Sequence, residues 1–202
     1  MTFWDLCAPF YDRAERANAV AHEGMLRCVR DLTPRGATVF EAAAGTGAIS
    51  LAVADKAERV LSTDLSKQML AVARKKAQRK GLTNITFDQR DIFDTGEPDT
   101  TYDVVVAAQV LHLIDKPDQA AAELTRISRG VVIAPVCLLK GLKGLFVRPT
   151  VGVWRMLGFA PRREFDADGY LAFLREIGLP PDSFEVIDGA MPLAVPVSRL
   201  DR

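Results

Sequence analysis

Short apolar segments alternate with amphipathic segments along most of this 202-residue chain. The apolar segments are rich in β-branched residues, and between them apolar residues recur at helical spacing. The predicted strands cover residues 37–41, 59–63, 84–89, 102–107 and 130–136. The predicted helices cover residues 48–56, 66–80 and 116–128. This alternation predicts a doubly wound α/β fold, in which a parallel sheet carries helices on both faces.

The two ends of the chain depart from this alternation. Residues 1–32 precede the first strand and are predicted to form an N-terminal helical cap. Near the other end, a predicted helix over 166–177 is followed by two strand-like runs, 183–188 and 193–199, joined as a hairpin. Hairpin strands are antiparallel, so the last strand should run against the others. We therefore expect a single domain over 1–202, with a mostly parallel seven-stranded sheet and a reversed last strand.

Composition excludes several classes of function. Lys plus Arg and Asp plus Glu number 26 each, so a nucleic-acid partner is not expected, because such domains are usually strongly basic. The longest uncharged apolar run, residues 131–139, is too short to cross a bilayer, which takes about 20 residues. A signal-peptide pattern is absent, and Cys7, Cys28 and Cys137 have neither disulfide nor zinc-site spacing. We expect a cytoplasmic protein without a metal site.

The most specific local signal is the segment 39–47 (VFEAAAGTG). The predicted strand ends at Glu41, and a helix begins near Gly47. Glycines at such a turn let the backbone approach a ligand, and the helix start presents free N–H groups. A dinucleotide fingerprint has the spacing G-x-G-x-x-G, whereas Ala43, Gly45 and Gly47 fall at every second position. This spacing disfavours a nicotinamide site, and a tight turn without a ligand stays open as an alternative.

Acidic residues also follow the next two predicted strands. Asp64 ends the second strand, where a carboxylate can accept hydrogen bonds from a ribose diol. Asp91 follows the third strand, where it could accept a hydrogen bond from an exocyclic amine such as that of adenine. The alternatives are a helix N-terminal acid for Asp64 and a solvated loop acid for Asp91. Acids at three successive strand ends beside a glycine turn favour a nucleoside-binding site.

Together these segments resemble the class I S-adenosylmethionine-dependent methyltransferases, and among them the small-molecule branch that includes ubiquinone and menaquinone C-methyltransferases. The resemblance covers nearly the whole chain and is best over 34–135. It rests on four motifs: Glu41 through Gly47, the segment 61–70 (LSTDLSKQML), the segment 90–92 (RDI) and the segment 102–112 (YDVVVAAQVLH). The reversed last strand is also typical of this family.

The resemblance implies S-adenosylmethionine as the cofactor, with a role for each matching residue. Its methionine end should lie against Ala43, Gly45 and Gly47, with Thr46 on its carboxylate. Asp64 should hold the ribose hydroxyls. The other implied contacts are Leu65 and Met69 beside the adenine, Asp91 and the Ile92 amide on its polar edge, and the Ala107 or Ala108 carbonyl toward the ammonium group. Ala43 stands where the family usually has glycine, so its methyl group should crowd the cofactor slightly.

Two residues are candidates for catalysis. His112 comes just after the fourth strand, near where the methyl group should emerge, and could act as a general base. Its alternative is a structural role in a helix turn. Tyr11 belongs to a Tyr11-Asp12 pair that resembles one in the small-molecule members. Its segment either closes over the cofactor and substrate or forms part of a packed N-terminal helix.

The insert between the fifth strand and the last helix, residues 137–165, is the most distinctive region. It combines apolar residues with six cations: Lys140, Lys143, Arg148, Arg155, Arg162 and Arg163. Residues 140–163 could form a lid over the substrate, a peripheral contact with an anionic membrane, or a helix packed on the sheet.

The sequence predicts an enzyme that methylates a small, apolar molecule, with S-adenosylmethionine as the methyl donor. A non-catalytic S-adenosylmethionine-binding sensor or partner subunit is the alternative from another class. Methylation of a protein stays open, whereas methylation of a nucleic acid is disfavoured by the zero net charge.

Overall fold

The computed structural model describes residues 3–140, 152 and 159–200. The predicted lid-like insert at 137–165 therefore lies outside the described residues, except at its two ends and at residue 152. The strands in the described ranges are β1 (Thr38–Ala42), β2 (Arg59–Thr63), β3 (Ile85–Asp88), β4 (Tyr102–Ala107), β5 (Ser128–Ile133), β6 (Val136–Cys137), β7 (Ser183–Ile187) and β8 (Leu193–Arg199). The helices are α1 (Phe3–Cys7), α2 (Tyr11–Glu15), α3 (Ala19–Leu32), α4 (Ala48–Val53), α5 (Lys67–Arg79), α6 (Pro117–Ile127) and α7 (Ala167–Glu176).

The strands form one mixed sheet whose central part is parallel. β1 lies between β2 and β4, with β3 beyond β2 and β5 beyond β4, and all these pairs are parallel. β8 runs antiparallel to β5, β6 and β7. The predicted α/β fold with a reversed last strand is confirmed, and β8 is the reversed strand. The described residues form eight strands in this sheet rather than the predicted seven.

The predicted fifth strand is interrupted, which corrects its expected range of 130–136. β5 ends at Ile133 and pairing resumes in β6 at Val136, because Pro135 has no N–H to donate to the sheet. The carbonyl of Pro135 instead accepts a hydrogen bond of 2.8 Å from the Gln109 amide. Gln109 follows β4 with a φ of 56°, so this contact fixes a sharp turn of the chain beyond the end of β4.

Helices cover both faces of the sheet, and each layer buries its own apolar cluster. On one face, Phe40 packs with Leu124 of α6 and Leu174 of α7. On the other, Val39 packs with Val29 of α3 and Ile49 of α4. Burying a side chain of this size contributes about 1.5–3 kcal/mol. This double burial explains why most side chains of β1 and β4 are apolar.

Side-chain caps fix where the helices beside the strand ends begin. Ser66 Oγ accepts a hydrogen bond of 3.1 Å from the Met69 amide at the start of α5. At the start of α7, Asp166 Oδ1 accepts a hydrogen bond of 2.8 Å from the Gly169 amide. Such caps typically contribute about 1 kcal/mol.

No helix in the described ranges is long and apolar enough to cross a membrane.

Helices cover most of the described residues 3–32, where the N-terminal helical cap is predicted. α1 and α2 are short, and a 3-10 turn, Arg16–Asn18, joins α2 to α3. α3 packs on the sheet through Met25 and Val29, which are buried. The chain before α3 contacts the start of α5, because Ser66 Oγ donates to Asp5 Oδ1 at 2.6 Å.

Candidate active site

An open cavity lies at the carboxyl ends of the parallel strands, and its volume is about 970 Å³ when the open space at its mouth is included. Open α/β sheets bind ligands at this edge. We call it the strand-end cavity. The predicted cofactor-binding residues that line it are Ala43, Gly45, Asp64, Leu65, Met69, Asp91, Ile92 and Ala108. The structure thus brings together residues from the ends of β1, β2 and β4 and from the segment after β3.

Asp64 ties the turn after β1 to the start of α5. Its Oδ2 accepts a hydrogen bond of 2.8 Å from the Gly45 amide, and its Oδ1 accepts one of 2.8 Å from the Ser66 amide. Burial raises the pKa of this carboxyl, while the two backbone hydrogen bonds oppose the rise. Each carboxylate oxygen has about two acceptor sites, so both can accept a further hydrogen bond from a ligand in the cavity.

The turn after β1 has positive φ at three alternating positions, with values of 51° at Ala43, 55° at Gly45 and 76° at Gly47. A Cβ on Gly45 would meet nothing within 4 Å, so this glycine borders open cavity space. A Cβ on Gly47 would lie 2.9 Å from the Cβ of Ala73 in α5. One glycine therefore leaves room for a ligand, and the other lets α4 and α5 approach each other.

Four predicted cofactor-binding residues do not line the cavity: Glu41, Thr46, Gly47 and Ala107. Ala107 is buried in the apolar cluster beside α6. Thr46 is also buried, and its hydroxyl donates to Asp12 Oδ1 at 2.5 Å. Asp12 in turn accepts hydrogen bonds from Lys76 Nζ at 2.9 and 3.0 Å. Thr46 thus joins the N-terminal cap to α5 in the described structure.

Glu41 is a buried carboxyl that holds the start of α4. Its Oε2 accepts a hydrogen bond of 2.9 Å from the Ser50 amide and a second from the Ser50 hydroxyl. Burial raises the pKa of Glu41 to about 7, although the hydrogen bonds from Ser50 lower it. Glu41 therefore links β1 to α4, which lie on the two sides of the glycine turn.

Glu41→Gln is expected to change how stability depends on pH. Between about pH 4.3, the usual glutamate pKa, and about pH 7, the folded state holds a proton that the unfolded chain has released. The free energy of unfolding therefore falls as the pH rises through this window. Relative to the variant, the wild type should lose about 2–3 kcal/mol between pH 5 and 8 in urea denaturation. Glu176→Gln, on the exposed surface of α7, is the control, and parallel curves for wild type and Glu41→Gln would contradict the prediction.

A second cavity adjoins the strand-end cavity, and its volume is about 830 Å³ when the open space at its mouth is included. We call it the inner cavity. Trp4, Tyr11 and Gln109 line both cavities, so the two spaces share a wall. The other described residues that line it are Ala14, Glu15, Asn18, His22, His112, Cys137, Leu139, Phe159, Met191 and Leu193. The lining is mainly apolar and aromatic, with a few polar groups.

The two predicted catalytic residues both line the inner cavity. Tyr11 is in the shared wall, and burial raises the pKa of its hydroxyl well above the usual value, with a further rise from Glu15. His112 is buried, and burial lowers its pKa to about 4. Within the described part of the chain, His112 Nδ1 has no hydrogen-bond partner. His112 is therefore a neutral imidazole at physiological pH.

The described end of the insert is attached to His112. The His112 carbonyl accepts hydrogen bonds from the Arg162 and Arg163 amides, at 3.1 and 3.2 Å. The Arg162 side chain pairs with Asp115 at 2.8 Å, and the Arg163 guanidinium lies 5.5 Å from the centre of the Phe173 ring. These two cations thus contact protein groups, whereas Lys143, Arg148 and Arg155 lie outside the described residues.

Comparisons with known proteins agree with this geometry. Residues 39–130 match the methyltransferase domain family. The chain thus contains a methyltransferase domain over this segment. It is 33% identical over 104 residues to phosphatidylethanolamine N-methyltransferase of Cereibacter sphaeroides, covering 51% of each chain. It is 28% identical over 127 residues to demethylmenaquinone methyltransferase of Clavibacter sepedonicus, covering 61% of this chain and 51% of that protein.

The chain thus spans about half the length of these two relatives. A solved structure with the same fold is magnesium protoporphyrin IX methyltransferase from Synechocystis, which contains bound S-adenosylhomocysteine. Its TM-score to this chain is 0.68 at 18% identity, covering 94% of this chain and 87% of that one.

The lining of the strand-end cavity suits S-adenosylmethionine chemically. Asp64 and Asp91 offer carboxylates for hydroxyl and amine donors, while Leu65 and Met69 offer apolar surface for a flat base. Trp4 and Tyr11 add aromatic rings, whose faces attract cations such as a sulfonium. The open space beside Gly45 gives the cofactor access to the backbone.

Several residues that line the strand-end cavity were not among the predicted site residues. These residues are Arg90, Phe93, Gln109, Val110, Leu113 and Ile114. Four of them come from 109–114, directly after β4, a position that predicts a ligand site by the same strand-end rule that identified Asp64. His112 is the one residue of this segment that was predicted as a site residue, and it lines the inner cavity.

Proposed function

We propose that this chain transfers the methyl group of S-adenosylmethionine to a small, apolar molecule that binds in the inner cavity. The observation that carries this proposal is the wall of Trp4, Tyr11 and Gln109 shared by the two cavities. Two adjoining cavities can hold a methyl donor and a methyl acceptor side by side. The lining of the inner cavity supports an apolar acceptor, because Leu139, Phe159 and Leu193 offer few hydrogen bonds.

The predicted cofactor-binding residues that line the strand-end cavity each have a proposed binding role. Asp64 accepts hydrogen bonds from the ribose hydroxyls, and Asp91 with the Ile92 amide binds the polar edge of the adenine. The apolar and small residues that complete the site are Leu65 and Met69 beside the adenine, and Ala43, Gly45 and Ala108 beside the methionine end. Glu41, Thr46, Gly47 and Ala107 act through the fold, by holding the turn and the strand end in place.

Bound S-adenosylmethionine supplies a methyl group already activated on a positively charged sulfur. The protein must therefore orient the acceptor and exclude water, and positioning alone can supply roughly 7–11 kcal/mol of the barrier. The N-terminal cap contributes to both tasks. Asp5 and Asp12 attach it to α5 and the glycine turn, so that Trp4 and Tyr11 stay between the two cavities.

The relatives support a small-molecule acceptor. The two curated relatives are named for methylation of phosphatidylethanolamine and demethylmenaquinone, neither of which is a protein or a nucleic acid. A purely cofactor-binding sensor has no need of the adjoining apolar inner cavity. Methyl transfer is therefore favoured over the non-catalytic alternative.

Filling the inner cavity is the test of this proposal. Met191 lines it on the turn between β7 and β8, where its backbone is fixed by hydrogen bonds of 2.7 and 3.0 Å with Asn18. In Met191→Trp, turnover of apolar acceptors should fall at least about tenfold, while the affinity for S-adenosylhomocysteine stays within about twofold. Product formation and calorimetry give the two readings. Val186→Trp, at an exposed position of β7, is the matched control.

Three outcomes would contradict parts of the proposal. Full turnover in Met191→Trp would place the acceptor elsewhere. Turnover with a protein but with no small molecule would favour the protein-methylation alternative. Tight cofactor binding without turnover of any acceptor would favour the non-catalytic alternative.

A further inference from the structure

A glutamate–histidine pair lies in the wall of the inner cavity and has no role in the account above. Glu15 Oε2 and His22 Nδ1 are 2.5 Å apart, and both residues line the cavity. Glu15 ends α2 and His22 lies in the first turn of α3, so the 3-10 turn between them brings the two side chains together. Both side chains are partly exposed, at 34% and 21%, and can meet a bound molecule.

The pairing fixes which nitrogen of His22 can accept a proton. A carboxylate on Nδ1 stabilises the tautomer whose proton is on that nitrogen, which leaves the lone pair on Nε2. In the described ranges, no protein group donates a hydrogen bond to Nε2. A base oriented by a second group in this way is the arrangement found in many active sites that must remove a proton.

The other polar groups described in the inner cavity are poor proton acceptors. Burial lowers the pKa of His112 to about 4, so its imidazole binds a proton weakly. Burial raises the pKa of the Tyr11 hydroxyl well above its usual value and that of the Cys137 thiol to about 12, so both keep their protons. Asn18 and Gln109 are neutral amides held by backbone contacts. The Glu15–His22 pair is therefore the best placed base.

We propose that the Glu15–His22 pair is the general base of the transfer and that the acceptor is a phenol or enol on an apolar skeleton. This inference rests on the function proposed above. The acceptor oxygen forms a bond to the methyl carbon while the carbon–sulfur bond breaks, and sulfur keeps that electron pair. The acceptor's proton passes to His22 Nε2, and Glu15 faces the imidazolium that results. His22 is then a catalytic residue and Glu15 a positioning residue.

The test compares two classes of phenol as probe acceptors. A panel of alkylphenols is largely un-ionised at neutral pH, whereas tetrafluorophenol is already ionised and needs no base. His22→Ala should lower kcat for the alkylphenols about 100-fold or more, but for tetrafluorophenol less than about threefold. Glu15→Gln should show the same selectivity with a smaller loss, of about tenfold. Glu23→Gln, an identical change at an exposed position of α3 outside the inner cavity, should leave both rates unchanged.

Binding measurements separate a chemical effect from a structural one. Calorimetry with S-adenosylhomocysteine, and with an alkylphenol added to that complex, should give affinities in His22→Ala and Glu15→Gln within about threefold of the wild type. Equal losses of kcat with both classes of phenol would overturn the inference. So would a wild-type protein that methylates an apolar acceptor but no phenol. A wild-type protein that binds no S-adenosylhomocysteine would instead refute the function proposed above.

Discussion

Replacing Asp64 by alanine should weaken the binding of S-adenosylhomocysteine at least about 100-fold. In the proposed complex the Asp64 carboxylate accepts hydrogen bonds from two ribose hydroxyls. A hydrogen bond to a charged group contributes about 1.5–3 kcal/mol, so losing two corresponds to a factor of at least about 100. Asp64 also accepts from the Gly45 and Ser66 amides, so the turn beside the cofactor loses its support.

Calorimetric titration of the folded variant measures this effect. The unpaired amides of Gly45 and Ser66 should also cost about 1–3 kcal/mol of the free energy of unfolding, so urea denaturation has to accompany the titration. Asp94→Ala is the control, because Asp94 is an exposed acid that does not line the strand-end cavity. An affinity in Asp64→Ala within a few-fold of the wild type would show that Asp64 holds the turn but not the cofactor.

The two glycines of the turn should respond differently to the same substitution. Both have positive φ, which costs a residue with a Cβ about 1–2 kcal/mol. In Gly47→Ala the new methyl group would also lie 2.9 Å from the Cβ of Ala73, and such overpacking costs about 1–3 kcal/mol more. We expect Gly47→Ala to lose about 2–5 kcal/mol of the free energy of unfolding, and Gly45→Ala only about 1–2 kcal/mol.

Cofactor affinity should show the opposite order in these two variants. The Cβ of Gly45→Ala enters open cavity space, so it takes room from the ligand rather than from the protein. Folded Gly45→Ala should therefore bind S-adenosylhomocysteine about tenfold more weakly, a change of about 1.4 kcal/mol. Folded Gly47→Ala should bind it within a few-fold of the wild type. Equal effects of the two substitutions on both stability and affinity would contradict the geometry of this turn.

Much of the fold could be predicted because local signals and the final structure agree. The run 102–107 is apolar except for Asp103, and it forms β4 in the middle of the sheet with both faces covered. Ser66 and Asp166 were recognisable as helix caps, and both accept the expected backbone hydrogen bonds. The interruption at Pro135 had a visible signal, because a proline cannot donate to a neighbouring strand.

The site was less predictable where it depends on contacts between distant segments. The strand-end rule placed Asp64 beside the cavity correctly, since it needs only the topology of the sheet. Thr46 lies in the same motif, but its hydroxyl meets Asp12, which is 34 residues earlier in the chain. The sequence contains no local signal for that contact. Glu15 and His22 meet only because the 3-10 turn between their helices sets their relative rotation, which helical periodicity alone does not specify.

Calorimetric titration of the wild-type protein with S-adenosylmethionine and S-adenosylhomocysteine, with NADH as a comparison ligand, tests the central claim most directly. The account predicts micromolar binding of both S-adenosyl compounds at one site per chain, and no binding of NADH. A folded protein that binds neither S-adenosyl compound would contradict it.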